Sequence, residues 1–141
     1  MPIFRMELNG IRDVKFLIDA FADSLEMTNE EMTKDISHEL QAFLRDKPYP
    51  PELPFQRYER TYELRRQWVV RRWGRSAHYI RNRQTYASYV VGDSDGLDQA
   101  EVHQHRWWIA VDEIDAHLTR LWPVYDQRWL DKWEANANRR A

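Results

Sequence analysis

The spacing of apolar residues predicts that the first third of the chain is mainly helical. Residues 3–8 (IFRMEL) alternate in part and end at Asn9-Gly10, which is typical of a short strand and a turn. Between residues 11 and 25 the apolar side chains recur every three or four positions, as on one face of a helix. Residues 28–31 (TNEE) match a capping box, which predicts either a second helix or a restart of the first.

The middle of the chain changes from helical to extended patterns. Residues 47–54 (KPYPPELP) hold four prolines, which remove hydrogen-bond donors and predict a semi-rigid connector of polyproline character. Residues 67–73 and 77–82 are rich in β-prone side chains and are separated by Gly74-Arg75-Ser76, so we predict a hairpin. Residues 85–91 suit a short helix, and residues 92–99 suit a loop.

A long helix is predicted from about Ile109 to the C-terminal end. Its apolar positions keep a spacing of three and four, and Pro123 should kink it or divide it in two. We therefore predict an α+β fold with a small antiparallel sheet, N-terminal helices and a long, Pro-kinked C-terminal helix. The 141 residues fit a single domain, residues 1–141.

Composition adds two constraints to this picture. The chain has seven Trp, seven Tyr and five Phe, which is more than a small core needs, so some are expected at contacts between chains. It has no Cys, which excludes disulfides, thiol catalysis and Cys-ligated zinc, and fits an intracellular or virion setting. We also expect no signal peptide and no membrane partner, because the N-terminal pattern and the length of the apolar runs fit neither.

Charge is unevenly distributed, although the net charge is only −2. Residues 1–46 have five basic and ten acidic side chains, residues 47–84 have ten and three, and residues 85–141 have six and ten. The basic side chains of residues 47–84 are almost all arginine, and Tyr and Trp residues lie between them. Such a segment suits nucleic acid, and it equally suits the acidic ends of a neighbouring copy. Arg71 and Arg72 should point to opposite faces of the hairpin, so the arginines do not form one stripe.

Candidate catalytic chemistry is sparse. On a strand, His103 and His105 would share a face and could both reach one metal ion, with Asp98 or Glu101 adding a carboxylate. Two histidines without an HExxH motif are a weak signal, and a role in hydrogen bonding beside the neighbouring tryptophans is favoured. Neither a nucleophile-elbow serine nor a phosphate-binding glycine motif is present. We expect no catalytic site, no metal and no cofactor.

Three short motifs resemble the pattern of a known protein family. The first lies after the prolines and comprises Arg57, Tyr58, Arg60, Thr61, Leu64 and Trp68. The second comprises Asn82, Tyr86, Ala87, Tyr89, Val90 and Gly92, and the third is QAEVHQHRWW at residues 99–108. In this order, over residues 48–108, the chain resembles the small neck, tail-completion or minor tail-component proteins of lambda-like tailed bacteriophages. One position departs from that pattern, because the family usually has a glycine where this chain has Tyr62.

The resemblance implies a virion structural protein without a catalytic site. Such a protein assembles as a homo-oligomeric ring with other neck or tail proteins, at the head–tail junction or the tail end. The ring surrounds the channel through which genomic DNA passes, without sequence specificity. The protein would be made in the host cytoplasm and end up in the virion.

Candidate residues follow for this role. We expect four packing anchors: Tyr86, Tyr89, Trp107 and Trp108. We expect contacts with a neighbouring subunit or with DNA from Arg65, Arg66, Arg71, Arg72 and Arg75. The acidic tip, residues 93–98, is expected to meet another subunit. Two alternatives remain: a small nucleic-acid-binding protein that uses the arginine- and aromatic-rich hairpin, and a metal enzyme that uses His103 and His105.

Overall fold

The structure is a computed structural model that describes residues 11–56, 59–92 and 98–140, without the side chains of residues 11–14, 16, 17 and 140. Its elements in chain order are α1 (Ile11–Asp46), α2 (Glu63–Arg66), β1 (Trp68–Trp73), β2 (Ala77–Asn82), α3 (Ala87–Val91) and α4 (Ala110–Arg140). The α+β class is confirmed, as are the hairpin, the short helix after it and the long C-terminal helix. The predicted strand at residues 3–8 and residues 93–97 of the acidic tip lie outside the described residues.

Helix α1 is continuous where a second helix start was predicted. Thr28, the proposed cap, is fully buried inside the helix. Its hydroxyl donates to the Ser24 carbonyl at 2.7 Å and accepts from the Asn136 side-chain amide at 3.1 Å. The prediction of a new helix start was therefore wrong, because Thr28 is committed to a buried contact with α4 and does not cap a helix.

Helices α1 and α4 pack antiparallel along a largely polar seam. Glu39 accepts hydrogen bonds from Tyr125 and Arg128, and the Trp129 indole donates to Asn29 at 2.9 Å. Near the start of α1, the Phe21 ring meets the edge of Trp133 at 5.5 Å between centroids. Since hydrogen bonds are directional, these pairs fix the register of the two helices more tightly than apolar packing alone.

Pro123 lies inside α4, and the helix runs through it as one element. Proline has no N–H, so the Thr119 carbonyl lacks its usual partner one turn later. The predicted division into two helices was wrong, and the predicted kink stays a prediction.

The hairpin packs on α1 with one face and leaves the other in solvent. Its strands are antiparallel, pairing Val69 with Arg81 and Arg71 with Tyr79. Gly74 supplies the left-handed backbone of the turn, with φ of 72°. On the inner face Trp68 is buried. The Gln41 side-chain amide on α1 donates to the Trp68 carbonyl at 2.8 Å.

The core lies where α1, α2, β1, α3 and α4 converge. Its buried side chains are Leu44, Leu64, Trp68, Ala87, Val91, Trp107 and Ala110. None of the helices in the described part of the chain combines the length and the apolar character that a membrane span requires.

Replacing Leu44 with alanine should destabilise the fold by about 2–5 kcal/mol, because the side chain is 1% exposed and its loss leaves a cavity at this convergence. Urea unfolding followed by tryptophan fluorescence measures the change in free energy. Leu130→Ala is the control, since Leu130 is 46% exposed and its replacement should cost far less. Equal losses in the two variants would contradict this placement of the core.

Candidate functional site

The proline connector is held in place by side-chain donors from distant parts of the chain. Arg60 donates to the carbonyls of Pro50 and Pro51. The Trp108 indole donates to the Pro48 carbonyl at 3.2 Å, and Arg106 donates to the Pro51 carbonyl at 3.4 Å. These bonds set the connector against the residue 98–109 segment.

An aromatic cluster forms beneath this connector. The Tyr49 ring stacks on Tyr62 at 5.1 Å and tilts against Trp107 at 4.9 Å. The Arg60 guanidinium lies over both Tyr49 and Trp107, and Arg65 lies over Tyr49. Burial raises the pKa of the Tyr49 phenol, although its oxygen accepts the backbone N–H of Arg65. The guanidinium groups are thus held by π faces in this cluster.

The expected packing anchors divide into two pairs. Trp107 is buried and Trp108 packs against the core cluster. Tyr86 and Tyr89 are 41% and 59% exposed, so they are not buried anchors. They line a pocket of about 430 Å³ that also borders Tyr62 and His103. The sequence pattern does not predict that these two tyrosines are exposed. Tyr86 and Tyr89 are three residues apart on one helical turn, and only tertiary packing decides whether that side of the turn is buried.

Tyr62 adopts a left-handed backbone, with φ of 60°. A left-handed conformation strains a residue with a Cβ. The stacking of Tyr62 on Tyr49 offsets part of that strain.

The predicted arginines have different surroundings. Arg72 and Arg75 reach back to α1, with ion pairs to Glu30 at 2.7 Å and Glu26 at 2.8 Å. Arg66 pairs with Glu63, and Arg65 lies in the aromatic cluster. Part of the predicted pairing between basic and acidic segments therefore occurs within one chain.

Arg71 lies on the hairpin outer face, which is the name we give to Val69, Arg71, Trp73, Ala77, Tyr79 and Arg81. The strand register places these six residues on one side, away from the face that packs on α1. Trp73 is 72% exposed and meets the edge of Tyr79. Arg71 and Arg81 are exposed and form no ion pair with any described residue. Arg71 and Arg72 do point to opposite faces.

A second exposed surface runs along α4. Asp112, Asp115, Thr119, Trp122 and Asp126 recur at intervals of three and four and are all exposed. We call these five residues the α4 stripe. Trp122, the fourth of the five, is 57% exposed. The α4 stripe combines carboxylates with an exposed indole. The hairpin outer face combines guanidinium groups with another exposed indole.

His103 and His105 lie in a turn, residues 101–106, and not on a strand. His103 packs edge-on to Trp107 at 6.0 Å, whereas His105 is exposed with φ of 62°. Among the residues described, no three His, Asp or Glu side chains are grouped closely enough to hold a metal ion. The shared strand face on which the metal hypothesis depended is therefore absent.

No protein-family model, curated protein or solved structure matches this chain.

Tyr62→Gly should be more stable than Tyr62→Ala by about 1 kcal/mol, because both lose the stack on Tyr49 but only glycine relaxes the left-handed backbone. Thermal and urea unfolding of the two variants give the difference. The same pair of substitutions at Tyr89, inside α3, should show the opposite order. If Tyr62→Ala were more stable than Tyr62→Gly, the backbone at position 62 would not be left-handed in solution.

Stability should fall as the pH drops from about 7 to about 5, and His103→Gln should make that fall shallower. Burial, helped by the charge of Arg106, lowers the pKa of His103 below its usual value near 6.5. The unfolded chain therefore takes up the proton first, and stability is lost until the pH passes below the folded pKa. Urea unfolding across this range measures the slope. His38→Gln, at an exposed position, is the control. An unchanged slope in His103→Gln would contradict the assignment.

Proposed function

We propose that this protein is a structural subunit of a tailed-bacteriophage virion, acting in head–tail joining or tail completion. It assembles into a ring around the DNA channel together with other neck or tail proteins. The proposal joins the motif order of residues 48–108 to one observation, which is that the chain exposes two surfaces of opposite charge, each built around a tryptophan.

Those two surfaces lie on different elements. On the hairpin outer face, Arg71 neighbours Trp73 along β1, and Arg81 lies opposite Val69 at the other end of the face. On the α4 stripe, Asp126 lies about one turn after Trp122, and Asp112 and Asp115 lie two to three turns before it. A contact between two different surfaces repeats from copy to copy, and it closes into a ring when the rotation between copies divides a full turn. Tryptophan, tyrosine and arginine are the residue types most enriched among the anchors of protein interfaces. A structural role by self-assembly accounts for both surfaces.

A second candidate function uses the hairpin alone. Trp73 and Tyr79 offer rings for base stacking, and Arg71 and Arg81 could neutralise phosphates. This supports nucleic-acid binding, but it leaves the exposed Trp122 and the α4 carboxylates without a role. The net charge of −2 also disfavours a general attraction to a polyanion. Assembly is therefore the better-supported function.

The purified full-length chain should form rings with a central channel, either at high concentration or after mixing with phage neck and tail proteins. Light scattering gives the mass, and negative-stain electron microscopy shows the shape. Raising the salt concentration should weaken assembly, because opposite charges face each other across the contact. A chain that stays monomeric alone and never enters rings with neck or tail partners would overturn the proposal. Binding of single-stranded DNA that weakens steeply with salt, without assembly, would favour the second candidate.

A further inference from the structure

A groove lies between α1 and α4. It has a volume of about 440 Å³. Its floor includes Met32 and Ile36 from α1, and its walls include Trp122 and Trp129 from α4. Asp126 lies at the groove, and its carboxylate forms no ion pair or hydrogen bond with any described residue. The groove is thus apolar inside, with a free carboxylate beside it.

We propose that this groove receives the Trp73 side chain of a second copy of the chain, with Arg71 of that copy facing Asp126. This contact deepens the proposed function, on which it rests, by naming the two surfaces that meet. In a ring the contact is head-to-tail, with each copy giving its hairpin to one neighbour and receiving the hairpin of another in its groove.

Three properties of the two surfaces support this match. First, Trp73 is 72% exposed and projects from the hairpin outer face, so it can enter a groove without rearranging its own chain. Secondly, the groove has room for one indole and already presents two tryptophan rings for edge or offset packing. Thirdly, the charges agree, since an unpaired guanidinium beside the projecting ring meets an unpaired carboxylate beside the groove.

The groove cannot be filled in the same way by its own hairpin. Ser76, in the hairpin turn, borders the groove, but Trp73 lies on the opposite, solvent side of β1 from the face that packs on α1. The ion pairs of Arg72 with Glu30 and of Arg75 with Glu26 hold the hairpin to α1 in that orientation. The Trp73 that enters the groove in this proposal therefore belongs to another copy.

Substitutions at the two tryptophans test the packing part of the contact. Trp73→Ala and Trp122→Ala should each weaken self-association of the full-length chain by about 30-fold or more, as loss of a central interface aromatic does. Sedimentation velocity over a concentration series measures the association constant. Phe55→Ala is the matched control, because Phe55 is 92% exposed and belongs to neither surface. An effect of Phe55→Ala equal to that of Trp73→Ala would overturn the contact.

A charge reversal tests the pairing. Arg71→Asp should weaken association, and Asp126→Arg in the same chain should restore a large part of it, because the two charges would then face each other with reversed sign. Asp112→Arg, on the α4 stripe but away from the groove, is the control and should not restore association. Restoration by Asp112→Arg, or by neither substitution, would overturn the pairing.

Cross-linking tests directly whether the hairpin of one copy meets the groove of another, since the natural chain has no cysteine to interfere. Ala77 lies opposite Trp73 on the hairpin outer face, and Thr119 lies one turn before Trp122. A short bis-maleimide should link Ala77→Cys chains to Thr119→Cys chains in a mixture, and should not link either variant to itself.

The possible results separate this contact from the proposed function. Rings that form normally while the mixed cross-link is absent would overturn the contact and leave the ring proposal standing. Ala77→Cys chains that link to one another would show a symmetric hairpin contact, and would overturn the contact proposed here. Binding of a single-stranded oligonucleotide that is lost in Arg71→Asp, with assembly unchanged, would assign the hairpin outer face to nucleic acid and likewise overturn it.

Discussion

The donation of hydrogen bonds to the proline connector is the interaction on which the rest of the arrangement depends. Prolines supply carbonyl acceptors but no N–H donors, so such a segment cannot satisfy itself by local hydrogen bonding. Here the donors are Arg60, Arg106 and Trp108, all supplied by later parts of the chain. The connector therefore holds a fixed conformation between the end of α1 and the hairpin.

Once the connector is fixed, the aromatic cluster and the core follow from it. Tyr49 is carried by the connector and provides the ring on which Tyr62, Trp107 and two arginines gather. Directly beyond the cluster, Leu64 and Trp68 enter the core against Leu44. The hairpin is then held against α1, so that one face is covered and the other is left for a partner.

Sequence patterns identified the elements that depend on local interactions. The hairpin, the helix at Ala87–Val91 and the long C-terminal helix follow from side-chain alternation, turn residues and helical spacing, and all three are present. The capping-box pattern at Thr28 wrongly predicted a helix start. The Thr28 hydroxyl contacts Asn136, more than a hundred residues later, and no local pattern encodes that partner. Likewise, the division of the arginines between intrachain pairs and solvent depends on which strand face packs on α1.

The candidate site was predictable in composition but not in geometry. The excess of tryptophan and the separate charge blocks pointed to surfaces between chains, and the alternation of β1 separated Arg71 from Arg72. The groove between α1 and α4 could not be inferred, because it is formed by side chains from helices at opposite ends of the sequence. The left-handed backbone at Tyr62 was not predicted, because a residue with a bulky side chain rarely adopts that conformation.

The polar seam between α1 and α4 has a consequence for the order of folding. Its partners are separated by almost the whole chain, as in Thr28 with Asn136 and Asn29 with Trp129. While the chain is being synthesised, α1 leaves the ribosome long before its hydrogen-bond partners on α4 exist. Contacts of such long sequence separation form late, because the intervening chain must first be closed into a loop. Completion of the C-terminal helix is therefore the event that commits the N-terminal helix to its native register.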